Sequence, residues 1–286
     1  MRTLGRALAI VLAVGFSCAA YIYLTLPDVR VLRTMNPSTT AFMEIRVREA
    51  QRRGEPVSRD QRWVSYARIS QHLKRAVLVA EDSSFWTHEG VDYEQLRESM
   101  EVNWERGEFA RGASTITQQL AKNLYLSPSK DPIRKLRELL IARRLEASLS
   151  KQRILELYLN LIEWGDGIWG AEAAARRYFH KSAAELTPQD SALLAAAISN
   201  PHILNPAHPT ARLRRRQQMI MRRMGAVTPP PVVVPDVPIA PSEPWIQGVP
   251  GLPQVPDMGA PSGLPGSPVA PPTAPPAGRR GGGGLP

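Results

Sequence analysis

Cysteine is nearly absent: Cys18 is the only one in 286 residues. That excludes a disulfide framework and any multi-cysteine zinc site. Five scattered histidines argue against a His-rich metal site. Lysine is scarce too, at six against thirty arginines. Period-two alternation is almost missing between Ser58 and Met224, which argues against a sheet-based fold. There are no internal repeats. Large apolar side chains thin out from 229 to 286, where 18 of the 27 prolines fall. A stretch that rich in Pro and Gly does not bury a core, and it is expected to be a disordered extension with polyproline II character. It serves partner binding or wall spanning, or it is a functionless low-complexity extension. Removing it and the N-terminus leaves a body of about 180 to 190 residues, one domain by size.

The net charge is +10. The tail sets Arg279 and Arg280 against Asp236, Glu243 and Asp257, so the surplus belongs to the rest of the chain. Nucleic acid, an anionic membrane face and phosphate-bearing substrates are the usual partners of such a body. A GC-rich genome accounts for the arginine bias equally well.

What is present begins with Ala7 to Leu26, twenty residues without a charge. As a helix they span about 30 Å, the thickness of a bilayer's hydrocarbon core. Arg2 and Arg6 precede the run, and Tyr21 and Tyr23 sit near its far end. This reads as an uncleaved single-pass anchor with its N-terminus in the cytoplasm and the body on the outer (periplasmic) face of the inner membrane. A cleaved signal peptide fits less well. The run is long for one, Ser17-Cys18-Ala19-Ala20 is a loose cleavage site, and Phe16 sits badly in a lipidation motif at Cys18. With the body outside the cytoplasm, nucleic acid is not expected as a partner. The organisation expected is 1–30 stub and anchor, 31–57 membrane-proximal linker, 58–226 catalytic domain and 227–286 tail.

The body reads as helices. Ile69, Leu73, Ala76, Val77 and Ala80 mark one that runs into Glu81. Asp131-Pro132 caps another, continued by Ile133, Leu136 and Leu140. Ile154, Leu155, Tyr158, Leu159 and Ile162 share a face of a third. Thr187-Pro-Gln-Asp190 opens a fourth with a near capping box, and Asn200-Pro201 ends it. Gly167 to Gly170 is a turn before the helix carrying Ala173 to Phe179. The fold class is mainly α.

Four segments carry polar residues that helical periodicity does not require. Glu81-Asp82 ends an apolar helix before Phe85, Trp86 and His88. Burial against the aromatic rings would raise a glutamate's pKa toward neutrality and suit it to proton transfer. The other reading is a solvated helix end that pairs with Lys74 or Arg75. Gly112 to Asn123 is almost wholly hydrogen-bonding. Gln118 and Lys122, and Gln119 and Asn123, stand four apart, so each pair shares a helix face. Such a wall suits sugar hydroxyls and, through Lys122, a phosphate; a polar surface helix is the alternative. Arg134, Lys135 and Glu138 are either an exposed i,i+4 pair with a neighbour or a carboxylate beside phosphate ligands. Lys151 to Gly167 is mostly core helix, in which Glu156 and Asn160 share a face and cap the following turn.

In order and spacing these segments resemble the biosynthetic peptidoglycan glycosyltransferases, most closely the monofunctional membrane-anchored type. Glu-Asp-x-x-Phe-x-x-His-x-Gly is met at Glu81, Asp82, Phe85, His88 and Gly90. Gly-x-Ser-Thr-Ile-Thr-Gln-Gln-Leu-x-Lys-Asn is met in full from Gly112 to Asn123. Arg-Lys-x-x-Glu is met at Arg134, Lys135 and Glu138, and Lys151 to Asn160 and Gly167 to Phe179 supply the last two blocks. The resemblance runs from about Trp63 to Arg223.

The resemblance implies a lysozyme-like, two-lobed helical domain that polymerises lipid II by inverting glycosyl transfer, with undecaprenyl pyrophosphate as leaving group. It implies Glu81 as general base and Glu138 as second acid. Lys122, Arg134 and Lys135 would meet the diphosphate. Ser114, Thr115, Gln118 and Gln119 would line the sugar cleft, with Asp82, Phe85, His88 and Asn123 as further substrate-site residues. A divalent ion such as Mg2+ at the diphosphate is implied, with ligands the sequence does not identify, and no organic cofactor. Partners implied are lipid II, the growing glycan, the bilayer, and other cell-wall synthases or division proteins.

Two features depart from the family pattern: the Pro-rich tail, and a short Val91 to Arg111 stretch carrying Glu101, Glu105, Arg106 and Glu108. In the family that stretch is a mobile region over the acceptor end of the cleft. Apolar residues of Val31 to Ile45 suggest a second membrane contact. A lytic transglycosylase or lysozyme-type hydrolase is the competing enzyme; its substrate lacks the pyrophosphate that the cations would meet. A non-catalytic scaffold is the competing non-enzyme. Ser127-Pro-Ser-Lys130 and Ser148-Leu-Ser-Lys151 fit Ser-x-x-Lys, yet both fall inside the glycosyltransferase blocks and no Lys-Thr-Gly follows. The length expectation is therefore a single catalytic domain.

Overall fold

A computed structural model of the chain describes residues 2–106, 112–129 and 131–226. The Pro-rich stretch 227–286, together with Glu108, Arg111 and Lys130, lies outside them. The described residues are mainly helical, as their periodicity requires.

Helix α1 (Arg2–Leu24) contains, within Thr3–Leu24, an 18-residue stretch with a mean hydropathy of 2.2 and none of it buried. It is long and apolar enough to cross a membrane. Its C-terminal end is gripped from α6 (Pro132–Ser148): Arg137 donates to the Thr25 carbonyl, and Arg144 to the carbonyls of Tyr23 and Leu26. The last carbonyls of a helix have no partner of their own, and these arginines supply one. The chain then enters the core through Leu26, Val29 and Leu32 and forms α2 (Ala41–Arg53). Thr40 caps the start of α2, and Gly54, in the left-handed region, ends it. The second membrane contact expected from Val31 to Ile45 is not met. Leu32 and Met43 are core, Val31 and Phe42 pack on that core, and Arg153 draws the segment inward through the carbonyls of Leu32 and Met35.

Two helical groups follow. Helix α3 (Gln71–Glu81) packs on α9 (Pro188–Ala197) and α10 (Ala211–Arg223), whereas α5 (Ile116–Tyr125) packs on α6 and α7 (Lys151–Leu161). Between α3 and α5 lies α4 (Tyr93–Arg106), which leaves Tyr93, Leu96, Met100 and Trp104 exposed. The expected caps are in place: Asp131 receives the N–H groups of Ile133 and Arg134, and Thr187 and Asp190 form a full capping box. Helix α9 ends at Ala197, three residues before Asn200.

Some expectations shift. Ile133 and Leu136 are helical but exposed, because α6 turns Glu138, Ile141, Ala142 and Leu145 inward instead. Helix α7 is buried from Ile154 to Leu161 rather than on one face, as a central helix is. The turn before α8 (Ala171–Phe179) holds the two-residue strand β3 (Ile168–Trp169), flanked by β1 (Asp60–Gln61) and β2 (Glu163–Gly165). Asp60 pairs in parallel with Ile168, and Glu163 antiparallel with Trp169. Strands this short leave no alternation to read. Gly170, at φ 84°, is required here, since a Cβ would sit 2.7 Å from the Asn160 carbonyl.

Candidate active site

The site is assembled where the two helical groups meet. Glu81 is the last residue of α3, and its side chain is 11% exposed. Gln119 of α5 donates from Nε2 to Glu81 Oε2 at 2.9 Å, and Arg216 of α10 reaches Oε1 at 3.4 Å. Neither Lys74 nor Arg75 pairs with it in the way a solvated helix end would require. Lys74 is fully buried, with its ammonium 3.9 Å from the centre of the Tyr66 ring. Burial lifts the Glu81 carboxyl above the ordinary glutamate value and Asp82 adds to this, while Gln119, Arg216 and Lys122 oppose it.

Asp82 is buried and holds the junction. Its carboxylate meets His88 Nε2 at 3.0 Å and accepts the Ile116 N–H at 2.9 Å. His88 Nδ1 in turn accepts the Gly90 N–H. Thr115 caps α5 and donates to the Gly90 carbonyl at 2.7 Å. Gly90 has a φ of 86°, and a Cβ there would meet Glu146 and the Ala142 backbone. Phe85 is fully buried, edge-on to Trp86, and the Lys151 ammonium lies 4.6 Å from its ring centre. Asn123 donates back to the Gln119 carbonyl, within its own helix. Asp82, His88 and Thr115 therefore hold the end of α3 against the start of α5, Phe85 packs beneath the loop that follows α3, Asn123 braces α5 internally, and Glu81 stands on that frame.

The second carboxylate lies on α6. Glu138 is 3% exposed and makes contacts of 2.5 Å to both Arg134 and Lys135. Lys135 also donates to Ser114 Oγ at 3.3 Å and Gln118 Oε1 at 3.4 Å, which brings the α6 cations to the first turn of α5. Lys122 of α5 feels the charge of both carboxylates. Burial pushes its ammonium below the ordinary value, Arg134 and Lys135 push the same way, and Glu138 and Glu81 oppose them. Glu81, Gln119, Lys122, Glu138, Arg134, Lys135, Ser114 and Gln118 thus form one continuous polar tract. It has a desolvated carboxylate at one end and three cations toward the other.

Glu156 and Asn160 do not cap the turn after α7. They brace the chain before α3 instead: Glu156 accepts the Tyr66 N–H, and Asn160 bonds both the N–H and the carbonyl of Val64. Arg216 and Tyr158 belong to the site and escape sequence reasoning. Tyr158 reads as one more apolar position of a core helix, and Arg216 is one of several arginines in α10. A further group of metal-ligating type among the described residues is Glu163, Asp166 and His202. There the Arg46 guanidinium already lies 3.1 Å from Glu163 and 2.7 Å from His202, so the cation is the protein's own.

Comparison with known proteins gives the family. The transglycosylase family model matches residues 48–225. A biosynthetic peptidoglycan transglycosylase of Dechloromonas aromatica (strain RCB) is 47% identical over 196 residues, 68% of this chain and 85% of that protein. One from Nitrosomonas eutropha is 47% identical over 192 residues, 67% and 79% of the two chains. One from Aromatoleum aromaticum is 53% identical over 166 residues, 58% and 72%.

Proposed function

This chain belongs to the transglycosylase family, and we propose the chemistry by which it acts as a peptidoglycan glycosyltransferase. It polymerises lipid II into glycan strands. The acceptor's sugar 4-hydroxyl attacks the anomeric carbon of the lipid-linked donor chain, the configuration inverts, and undecaprenyl pyrophosphate leaves. Glu81 takes the hydroxyl proton. Its raised pKa matches it to a proton acceptor working near neutral pH. The two carboxylates sit on separate helices, Glu81 on α3 and Glu138 on α6, and Lys122 of α5 feels the charge of both.

Pyrophosphate needs no proton to leave; it needs positive charge where negative charge develops. Lys122, Arg134 and Lys135 supply it, and Glu138 fixes the latter two. Ser114, Gln118 and Gln119 face the sugars. This donor set does not by itself make a divalent metal site, because Glu138 commits its carboxylate to Arg134 and Lys135. An ion there would be carried by the diphosphate's own oxygens and water.

Helix α1 anchors the enzyme in the cytoplasmic membrane with Arg2 and Arg6 inside and the catalytic domain outside. The observation that carries the reading is the shared tract of one desolvated glutamate and three cations. A hydrolase acting on finished strands, which lack pyrophosphate, would have no use for those cations. The test gives the full chain lipid II and, separately, cell-wall sacculi. Polymer from lipid II is expected. Soluble fragments from sacculi without polymer would establish a hydrolase instead.

A further inference from the structure

The reading above assigns a base but leaves open what holds it and sets its charge. Glu81 lies at a helix end, where its side chain has no support from its own helix beyond the preceding turn. It is desolvated, and Asp82 follows it directly. Left alone, such a carboxyl takes up a proton and turns away from an anionic neighbour. Two contacts from other helices oppose this.

On one side, the Tyr158 hydroxyl, fully buried on α7, donates to Gln119 Oε1 at 2.8 Å. A phenol at neutral pH is a donor here, so the oxygen of the Gln119 amide must face Tyr158 and its NH2 must face Glu81. The 2.9 Å contact from Nε2 to Glu81 Oε2 follows from that choice. On the other side, Arg216 is pinned by Ser199 Oγ at 2.7 Å and extends its second nitrogen to Glu81 Oε1 at 3.4 Å. Its neighbour Gln217 donates to the Gln189 carbonyl and locks α10 to α9.

Resting on the proposed role of Glu81 as base, we infer that Arg216 and Tyr158 are positioning residues of this enzyme: Arg216 holds one carboxylate oxygen, and Tyr158 dictates which face of the Gln119 amide holds the other. The pair leaves further lone pairs of Glu81 free for a substrate hydroxyl, since an ionised carboxylate accepts about four hydrogen bonds. The charged and titratable groups around Glu81 are Asp82 at the next position, Lys122 from α5, Tyr158 from α7 and Arg216 from α10. Tyr158 itself stays protonated, because burial drives its pKa well above the ordinary value, with Glu81 and Asp82 adding to the rise. Arg216 and Lys122 are therefore the cations that favour the ionised form of Glu81, and Arg216 is the one outside the diphosphate tract.

The experiment measures lipid II polymerisation by the full chain across pH, with Arg216→Met, Arg216→Lys and Tyr158→Phe beside wild type. Arg216→Met is expected to move the acid limb of kcat/KM up by about one pH unit, a loss of about tenfold below the limb that largely recovers on the alkaline side. Arg216→Lys is expected to restore most of the limb. Tyr158→Phe, which removes one oxygen and keeps the core, is expected to shift it upward by about threefold in rate on the acid side. A uniform loss at every pH in both Arg216→Met and Tyr158→Phe would overturn the inference, as would equal losses in Arg216→Met and Arg216→Lys. Titration of the Glu81 carboxyl by 13C NMR, assigned with Glu81→Gln, decides the matter without turnover. If wild type polymerises lipid II and the Glu81 titration is unmoved in Arg216→Met, only this inference fails. If wild type does not polymerise at all, the functional reading fails, and the titration still decides whether Arg216 governs Glu81.

Discussion

Glu81 and Glu138 are the same residue type, both nearly removed from water, and they are kept in opposite company. Glu81 is 11% exposed and meets one amide and, at longer range, one guanidinium. Glu138 is 3% exposed and is clamped by a guanidinium and an ammonium at 2.5 Å. A desolvated carboxylate with weak partners is basic and takes protons. A desolvated carboxylate with two close cations is an anchor that fixes them. On the proposed reading, Glu81 at the end of α3 carries the proton chemistry and Glu138 within α6 the charge chemistry, and the partners decide which.

The contrast is broken or sharpened by experiment, with the strongest effect at Glu81. Glu81→Gln keeps the shape and the Gln119 contact but cannot take a proton. Polymerisation is expected to fall by about 100- to 10,000-fold in kcat, measured on lipid II. Near-wild-type turnover would remove Glu81 from its role.

Glu138→Gln separates the two carboxylates by stability as well. It leaves Arg134, which is mostly buried, and Lys135, which is partly exposed, without their anion. A loss of about 2 to 3 kcal/mol in unfolding free energy is expected, with activity lost mainly through a higher KM. Glu81→Gln has the opposite sign. The folded-state pKa of Glu81 is raised, so its contribution to stability is fully present only below the ordinary glutamate value and is lost as pH rises through the folded value. The amide variant should therefore match wild type near pH 4 and exceed it at neutral pH in thermal melting. Equal melting temperatures for the two variants at pH 7 would abolish the contrast.

The rate profile gives the next effect. The acid limb of kcat/KM is expected above the ordinary glutamate range, because burial raises Glu81 and activity needs its ionised form. A limb at or below that range would mean the base is solvated during turnover.

The smallest effects come from the caps. Asp131 caps the helix of Glu138 at an exposed site, and Asp131→Ala should cost about 1 kcal/mol. Thr115 caps the helix of Gln119 in a buried site and also bonds Gly90, so Thr115→Ala should cost about 2 kcal/mol in chemical unfolding.

The caps and the helix-period stripes were legible because their causes are local: Asp131-Pro132 and Thr187 to Asp190 state their geometry within four residues. The motif residues were legible as a set, yet their division of labour was not. Asp82, His88 and Thr115 look as functional as Glu81 in the sequence, and only packing shows that they join α3 to α5. Glu156 and Asn160 share a face as expected, but that face points to residues 64–66, contacts 90 and 96 positions away that no local rule contains. Arg216 lies 135 positions from Glu81, among arginines that look alike, and nothing in its neighbourhood marks it. The small sheet was missed because two-residue strands carry no period.

The grip of α6 on the end of α1 has a consequence of scale. Arg137 and Arg144 hold the carbonyls where the apolar helix stops, and Arg134 lies one helical turn, about 5 Å, before Arg137 on the same rod. The rod makes α6 a depth gauge. On the proposed reading, the cations that would receive a diphosphate are set at one height above the point where the chain leaves the apolar layer, the height at which a lipid whose tail stays in the bilayer would present that group. Replacing Arg137 and Arg144 together by alanine would leave the contacts of Glu81 and Glu138 in place and remove the tie that sets their altitude.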